Sequence, residues 1–179
     1  VVTILIAGKG RAFSAGADID EMANDDSIRL ELLNQFADWD RLALIKKPLI
    51  GAVKGFVLGG GFELALCCDM LIAANGTEFS FPEVNIGVMP GAGGTQRLTK
   101  LVGRTKALEW LWTGDRISVE QALEHGIVNR IVAEELLMEE AMKFAKKLAK
   151  QPPLSLRLIK DSVNKAVDYS LYEGMQYER

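Results

Sequence analysis

Two glutamates and a run of glycines are the residues of this 179-residue chain best suited to chemistry. Glu63 closes the stretch Leu58-Gly59-Gly60-Gly61-Phe62-Glu63, which reads as a turn from a strand into a helix. Such a turn leaves free N–H groups at the helix start to converge on one oxygen. In the first helical turn Glu63 is ordinarily just a partner of the helix dipole. Its neighbours Phe62 and Leu64 suggest more, because partial burial raises a carboxyl pKa toward that of a working acid or base. Glu83 follows Pro82 in a loop, where a glutamate is ordinarily a solvated surface residue. Brought together, the two carboxylates could hold and activate one water; their spacing alone leaves open whether they meet.

The glycines narrow the choice of ligand. No Gly-Lys-Ser/Thr follows the Gly59–Gly61 run, so it is no Walker loop, and Gly8-Lys9-Gly10 lacks the third glycine of a dinucleotide fingerprint. Converging amides suit an oxyanion hole, which stabilises an enolate-like or tetrahedral oxygen by a few kcal/mol. Ten of the 17 glycines fall between Gly51 and Gly94, a density that fits either backbone-built binding or tight turns in a compact sheet.

Scarce residue types exclude other chemistries. His125 is the single histidine, so a multi-His metal site is ruled out and a serine triad would depend on that residue alone. Beside Gly126 at a helix end, it reads as a cap. Cys67 and Cys68 are adjacent, without metal-ligand spacing and badly placed to bridge each other, and they read as small core residues of a reducing compartment. The formal charge of −3 carries no nucleic-acid footprint. No apolar run approaches the length of a membrane span. Arg97, Lys100 and Arg104 could touch phosphates, although exposed helix charges are the default.

Around these residues the pattern predicts an α/β fold with a helical extension. Strands are expected at 1–7, 49–53, 70–74 and 128–132, short alternation at 77–81, and a glycine-rich turn at 55–61. Helices are expected near 27–46, 62–68, 95–101, 105–112, 118–125, 133–150 and 154–169, with Pro152-Pro153 separating the last two. No internal repeat is visible. The apolar stripe Leu136, Leu137, Ala141, Phe144, Ala145 and Leu148 reads as core. The chain opens inside a strand and stops inside a helix, as a cropped domain would.

Together, Arg11-Ala12-Phe13-Ser14-Ala15-Gly16-Ala17-Asp18-Ile19, Gly59-Gly60-Gly61-Phe62-Glu63-Leu64-Ala65, Pro90-Gly91-Ala92-Gly93-Gly94-Thr95-Gln96-Arg97-Leu98 and Thr113-Gly114-Asp115-Arg116-Ile117 closely resemble the enoyl-CoA hydratase (crotonase) family. Ala122 and Gly126-Ile127-Val128 extend the match. The resemblance implies a ClpP-like spiral of β-β-α units over residues 1–132 and a helical trimerisation region over 133–179. It spans roughly the middle two-thirds of the family domain, so further strands and helices are expected beyond both ends. Carried over by position, Ala17 and Gly60 supply the two backbone donors to the thioester oxygen. Glu63 and Glu83 match the glutamates that hold water, and Gly91, expected at a helix N-terminus, matches the position that helps orient them. Ala15, Asp18 and Ile19 fall in the segment laid along CoA; Asp20 stands where related hydratases often carry lysine.

The implied activity is a lyase reaction of fatty-acid metabolism: syn addition of water to a trans-2-enoyl-CoA. Glu63 acts chiefly on the water adding at C3, and Glu83 delivers a proton to C2. No cofactor is implied beyond the acyl-CoA substrate itself. A homotrimer or hexamer is expected, without nucleic acid or membrane, in the cytoplasm or alternatively the mitochondrial matrix. The rivals are a Δ3-Δ2 enoyl-CoA isomerase, which often keeps only one of the two glutamates, an RNA-binding or assembly protein, and a serine hydrolase built on Ser14 or Ser80.

Overall fold

The structure, a computed structural model, describes residues 1–16 and 37–179. Ala17, Asp18 and Ile19, Asp20, and the first half of the helix expected at 27–46 lie outside the described residues; the described part of it holds α1 (Ala37–Ala43).

Two sheets wind in step. In the first, β1 (Ile4–Ala7), β2 (Leu49–Val53), β4 (Met70–Ala74) and β7 (Arg130–Val132) run parallel in the order β1-β2-β4-β7. The second has β3 (Phe56–Leu58) parallel to β5 (Glu78–Ser80), with β6 (Ile117–Ser118) antiparallel at its end. Ser14 extends it by a parallel bridge to Val57. Each successive coil thus lays one strand in the first sheet and the next in the second: β1 then Ser14, β2 then β3, β4 then β5. A structural repeat is present where the residues themselves show none. The turn expected at 55–61 contains β3, a three-residue strand between Gly55 and Gly59, too short to show alternation.

Side-chain alternation divides the core. Val53, Leu71 and Ala73 face a cluster that also holds Phe62, Phe79, Phe81, Leu98 and Trp110, whereas Ile50, Ala52, Ile72 and Ala74 face the opposite side. That opposite face is covered by α6 (Leu137–Ala149) through Leu137, Ala141 and Ala145, with Phe144 and Leu148 packed against them. The expected stripe is therefore core, except for exposed Leu136. All five β2 residues are buried, as a parallel strand covered on both faces requires.

The remaining helices are α2 (Gly60–Leu66), α3 (Gly94–Val102), α4 (Arg104–Thr113), α5 (Val119–Glu124), α7 (Pro153–Ala166) and α8 (Leu171–Tyr177). Ser118 and Gln121 form a capping box that starts α5 beside β6. Neither α7 nor α8 contributes a buried residue. A strap nevertheless holds α7 down: Lys160 Nζ reaches Asp69 at 2.7 Å and the Lys47 carbonyl at 3.0 Å. Asp69 in turn accepts from the Leu49 N–H at 2.8 Å.

Candidate active site

Packing fixes the start of α2. Phe62, fully buried, stacks on Phe81 with ring centroids 4.6 Å apart and tilts against Phe79 at 5.1 Å. The Gly59 carbonyl accepts from the Phe62 and Glu63 N–H groups, at 2.8 and 3.0 Å. Among the described residues, the N–H groups of Gly60 and Gly61 find no acceptor. The Gly60 carbonyl takes a bond from the Trp39 indole at 3.4 Å.

The first coil passes close by. A Cβ on Gly61 would lie 2.5 Å from the Ser14 carbonyl oxygen, so only glycine permits this approach. Gly16, at φ +101°, sits where a Cβ would be 3.7 Å from the Gly60 nitrogen. Ala15 and Ser14 line a cleft of about 580 Å³ with Arg11, Ala12 and Phe56.

Glu63 is 2% exposed. Its Oε1 accepts from the Ala92 and Gly94 N–H groups, both at 2.8 Å. Burial raises its pKa, while these two bonds and the Arg97 charge oppose the rise. Glu83 lies on a 3₁₀ turn, Pro82–Ile86, started by proline and ended at Gly87 in the left-handed conformation. Its carboxyl faces Gly59, whose Cβ would stand 3.2 Å from Glu83 Oε1. Glu83 Oε2 is buried with no hydrogen-bond partner among the described residues. Burial raises the Glu83 pKa, its own N–H opposes that, and the charge of Glu63 raises it further. The two carboxyls therefore interact, one beside Gly59 and one a turn into the helix that follows.

Several expectations are displaced. Gly91 is exposed in the loop, three residues ahead of α3, which starts at Gly94 behind Gly93, so it is not at the helix N-terminus. The donors on Glu63 are the backbones of Ala92 and Gly94, invisible to a reading of side chains. Arg97 does not simply face solvent: its Nη1 donates to the Ala92 carbonyl at 2.7 Å. Ser80 Oγ donates to the Gly114 carbonyl, and His125 pairs through Nδ1 with the Gln121 carbonyl and packs edge-on to Trp110, so they form no catalytic couple. No group of three or more His, Cys, Asp or Glu side chains gathers at metal-binding geometry among the described residues.

A family model described as enoyl-CoA hydratase/isomerase matches residues 1–179. The chain belongs to the enoyl-CoA hydratase/isomerase family. It is 42% identical over 179 residues to a probable enoyl-CoA hydratase of Rhizobium meliloti (strain 1021), covering all of this chain and 70% of that protein. It is 44% identical over 182 residues to the mitochondrial enoyl-CoA hydratase of Pongo abelii, again over all of this chain but 62% of the relative. Among solved structures, "Enoyl-CoA Hydrates Subunit I" of Geobacillus kaustophilus HTA426 superposes with a TM-score of 0.98 at 68% identity, over 100% of this chain and 70% of that one. The paired coils are the crotonase fold of this family. No helix among the described residues is long and apolar enough to cross a membrane.

Proposed function

We propose that this chain carries the reversible syn hydration of a trans-2-enoyl-CoA to the 3-hydroxyacyl-CoA. The observation behind this reading is that two carboxyls flank one helix start, Glu63 on the Ala92 and Gly94 N–H groups and Glu83 beside Gly59, where the Gly60 N–H finds no acceptor among the described residues. The thioester oxygen takes hydrogen bonds from the N–H groups of Gly60 and Ala17, which hold the charge that develops as the enolate forms. The acyl-CoA approaches past Ala15, with Asp18 and Ile19 along the CoA and Gly91 at the water side. CoA belongs to the substrate, and acid–base addition of water needs no further cofactor.

The unequal surroundings of the two glutamates support distinct roles. Glu63, with two amide bonds and a nearby cation, is the better ionised partner and takes a proton from the water that attacks C3. Glu83, with a buried unpartnered oxygen and an anion beside it, holds a proton more readily and delivers it to C2. Water is thus divided across the double bond, and the proton left on Glu63 is passed on to reset the pair. Glu63→Gln and Glu83→Gln should each lower the hydration of crotonyl-CoA by about 10²- to 10⁴-fold. Loss of the conjugated enoyl absorbance measures it; near-normal turnover in both variants would refute the assignment.

The helical segment after residue 132 serves assembly into a trimer or hexamer in this reading, supported by the exposed apolar residues of α7 and α8. Two adjacent free cysteines fit a reducing compartment, cytoplasm or mitochondrial matrix.

A further inference from the structure

We infer that Arg97 is a positioning residue for the hydration step, its guanidinium stapling the 90–94 loop so that the Ala92 and Gly94 N–H groups stay aimed at Glu63 Oε1. This rests on the proposed role of Glu63 as the group that acts on water.

The loop is poor in side chains that could hold it. Three of its five residues are glycine, and Gly93, the residue just before α3, lies at φ +94° and brings no side-chain cap to the helix. Arg97 grips it twice. Its backbone N–H donates to the Gly93 carbonyl at 2.9 Å, and its side chain folds back past Gly93 to the Ala92 carbonyl at 2.7 Å. The path exists because Gly93 has no side chain: a Cβ there would lie 2.2 Å from Arg97 Nη1. Gly94 is constrained from the other side, since its Cβ would come 2.9 Å from Glu63 Oε1. Ala92 is thus held at both polar atoms, its oxygen by the arginine and its N–H by the glutamate. A charge-assisted bond of this kind is stronger and more directional than a neutral one.

Among the described residues, the charged and titratable groups facing Glu63 are Arg97 from α3, Glu83 from the 3₁₀ turn and Cys67 from the end of α2, with Asp40 of α1 acting on Cys67. Arg97 is the one cation in that set. Its removal makes ionised Glu63 less favourable, through both the lost charge and the loosened amides, and must move the acidic limb of the rate profile to higher pH.

The test is kcat and KM for crotonyl-CoA across pH in the full chain and in R97K, R97M and E63Q. R97M should lower kcat on the order of 10- to 100-fold, leave KM within about threefold, and shift the acidic limb of kcat upward. R97K, which keeps the charge, should return the limb to its wild-type position and recover part of the rate. Should R97M not fold by circular dichroism, R97Q carries the same expectation for the limb. An unmoved limb in a folded neutral variant, or a rise in KM at unchanged kcat, overturns the inference; the latter result would mark Arg97 as a substrate-phosphate contact. E63Q separates the two levels. Full activity in E63Q removes the proposed hydration chemistry, whereas an inactive E63Q beside an unmoved limb in R97M removes the role of Arg97 alone.

Discussion

Glu83 keeps a buried oxygen that no donor among the described residues reaches and sits beside a second carboxyl, an arrangement that stabilises neither ionisation nor the fold. Its folded-state pKa is raised, so the folded protein retains the proton longer than the unfolded chain does. Below the ordinary carboxylate range both states are protonated and the fold bears no penalty. As pH rises through and above that range the penalty appears, and it is complete once pH passes the raised folded-state value. Glu83→Gln removes the titration. Its melting temperature should therefore gain on that of the parent as pH rises from acid to alkaline, while its activity is lost. A constant difference across pH, followed by circular dichroism, would show that Glu83 ionises at no cost to the fold. A base and an acid working in one step also predict a bell-shaped profile of kcat against pH, its acidic limb set by ionisation of Glu63 and its alkaline limb by loss of the Glu83 proton.

At the scale of elements, the site depends on how closely backbone approaches backbone. Gly61 has the Ser14 carbonyl where its Cβ would be, and that carbonyl accepts from the Leu58 N–H at 3.0 Å. Gly61→Ala must push the first coil away from α2 and disturb the Ser14–Val57 bridge. Such overpacking should cost about 1–3 kcal/mol in urea unfolding, together with a marked loss of kcat; an unchanged midpoint would show that the coil yields freely. The same dependence on backbone explains what could be foreseen. Strands β2 and β4 were legible because buried apolar runs end at Pro48 and near Asn75-Gly76, and α5 because Ser118 and Gln121 sit at capping-box spacing. Glu63 and Glu83 stood out by type and surroundings. Strand β3 did not, because three residues between glycines show no period, and Arg97 did not, because its partner is a carbonyl that every residue possesses. The amides on Glu63 were hidden for the same reason: glycines signal that backbone comes close, without saying to what.

Over the whole molecule, two kinds of helix are distinguished by what they cover. Helix α6 seals the far side of the first sheet, whereas Leu154, Leu158, Ile159 and Val163 of α7 are all more than half exposed, as are Leu171 and Tyr172 of α8. Under the proposed assembly these residues are buried between copies. Leu158→Glu with Val163→Glu should shift the protein from trimer or hexamer toward monomer in sedimentation analysis, leaving the Lys160–Asp69 strap intact. A monomeric parent chain, or an assembly indifferent to both charges, would exclude α7 from the interface.

The coiled course of the chain has one further consequence. Gly16 belongs to the first coil, Gly59, Gly60 and Glu63 to the second, and Glu83 to the third. Each layer delivers a different part to one edge of the stack, so under the proposed function a thioester seated there spans the seams between layers and acts as a rivet through them. Occupancy and cohesion should then rise together, so that a bound ligand resists slippage between neighbouring layers.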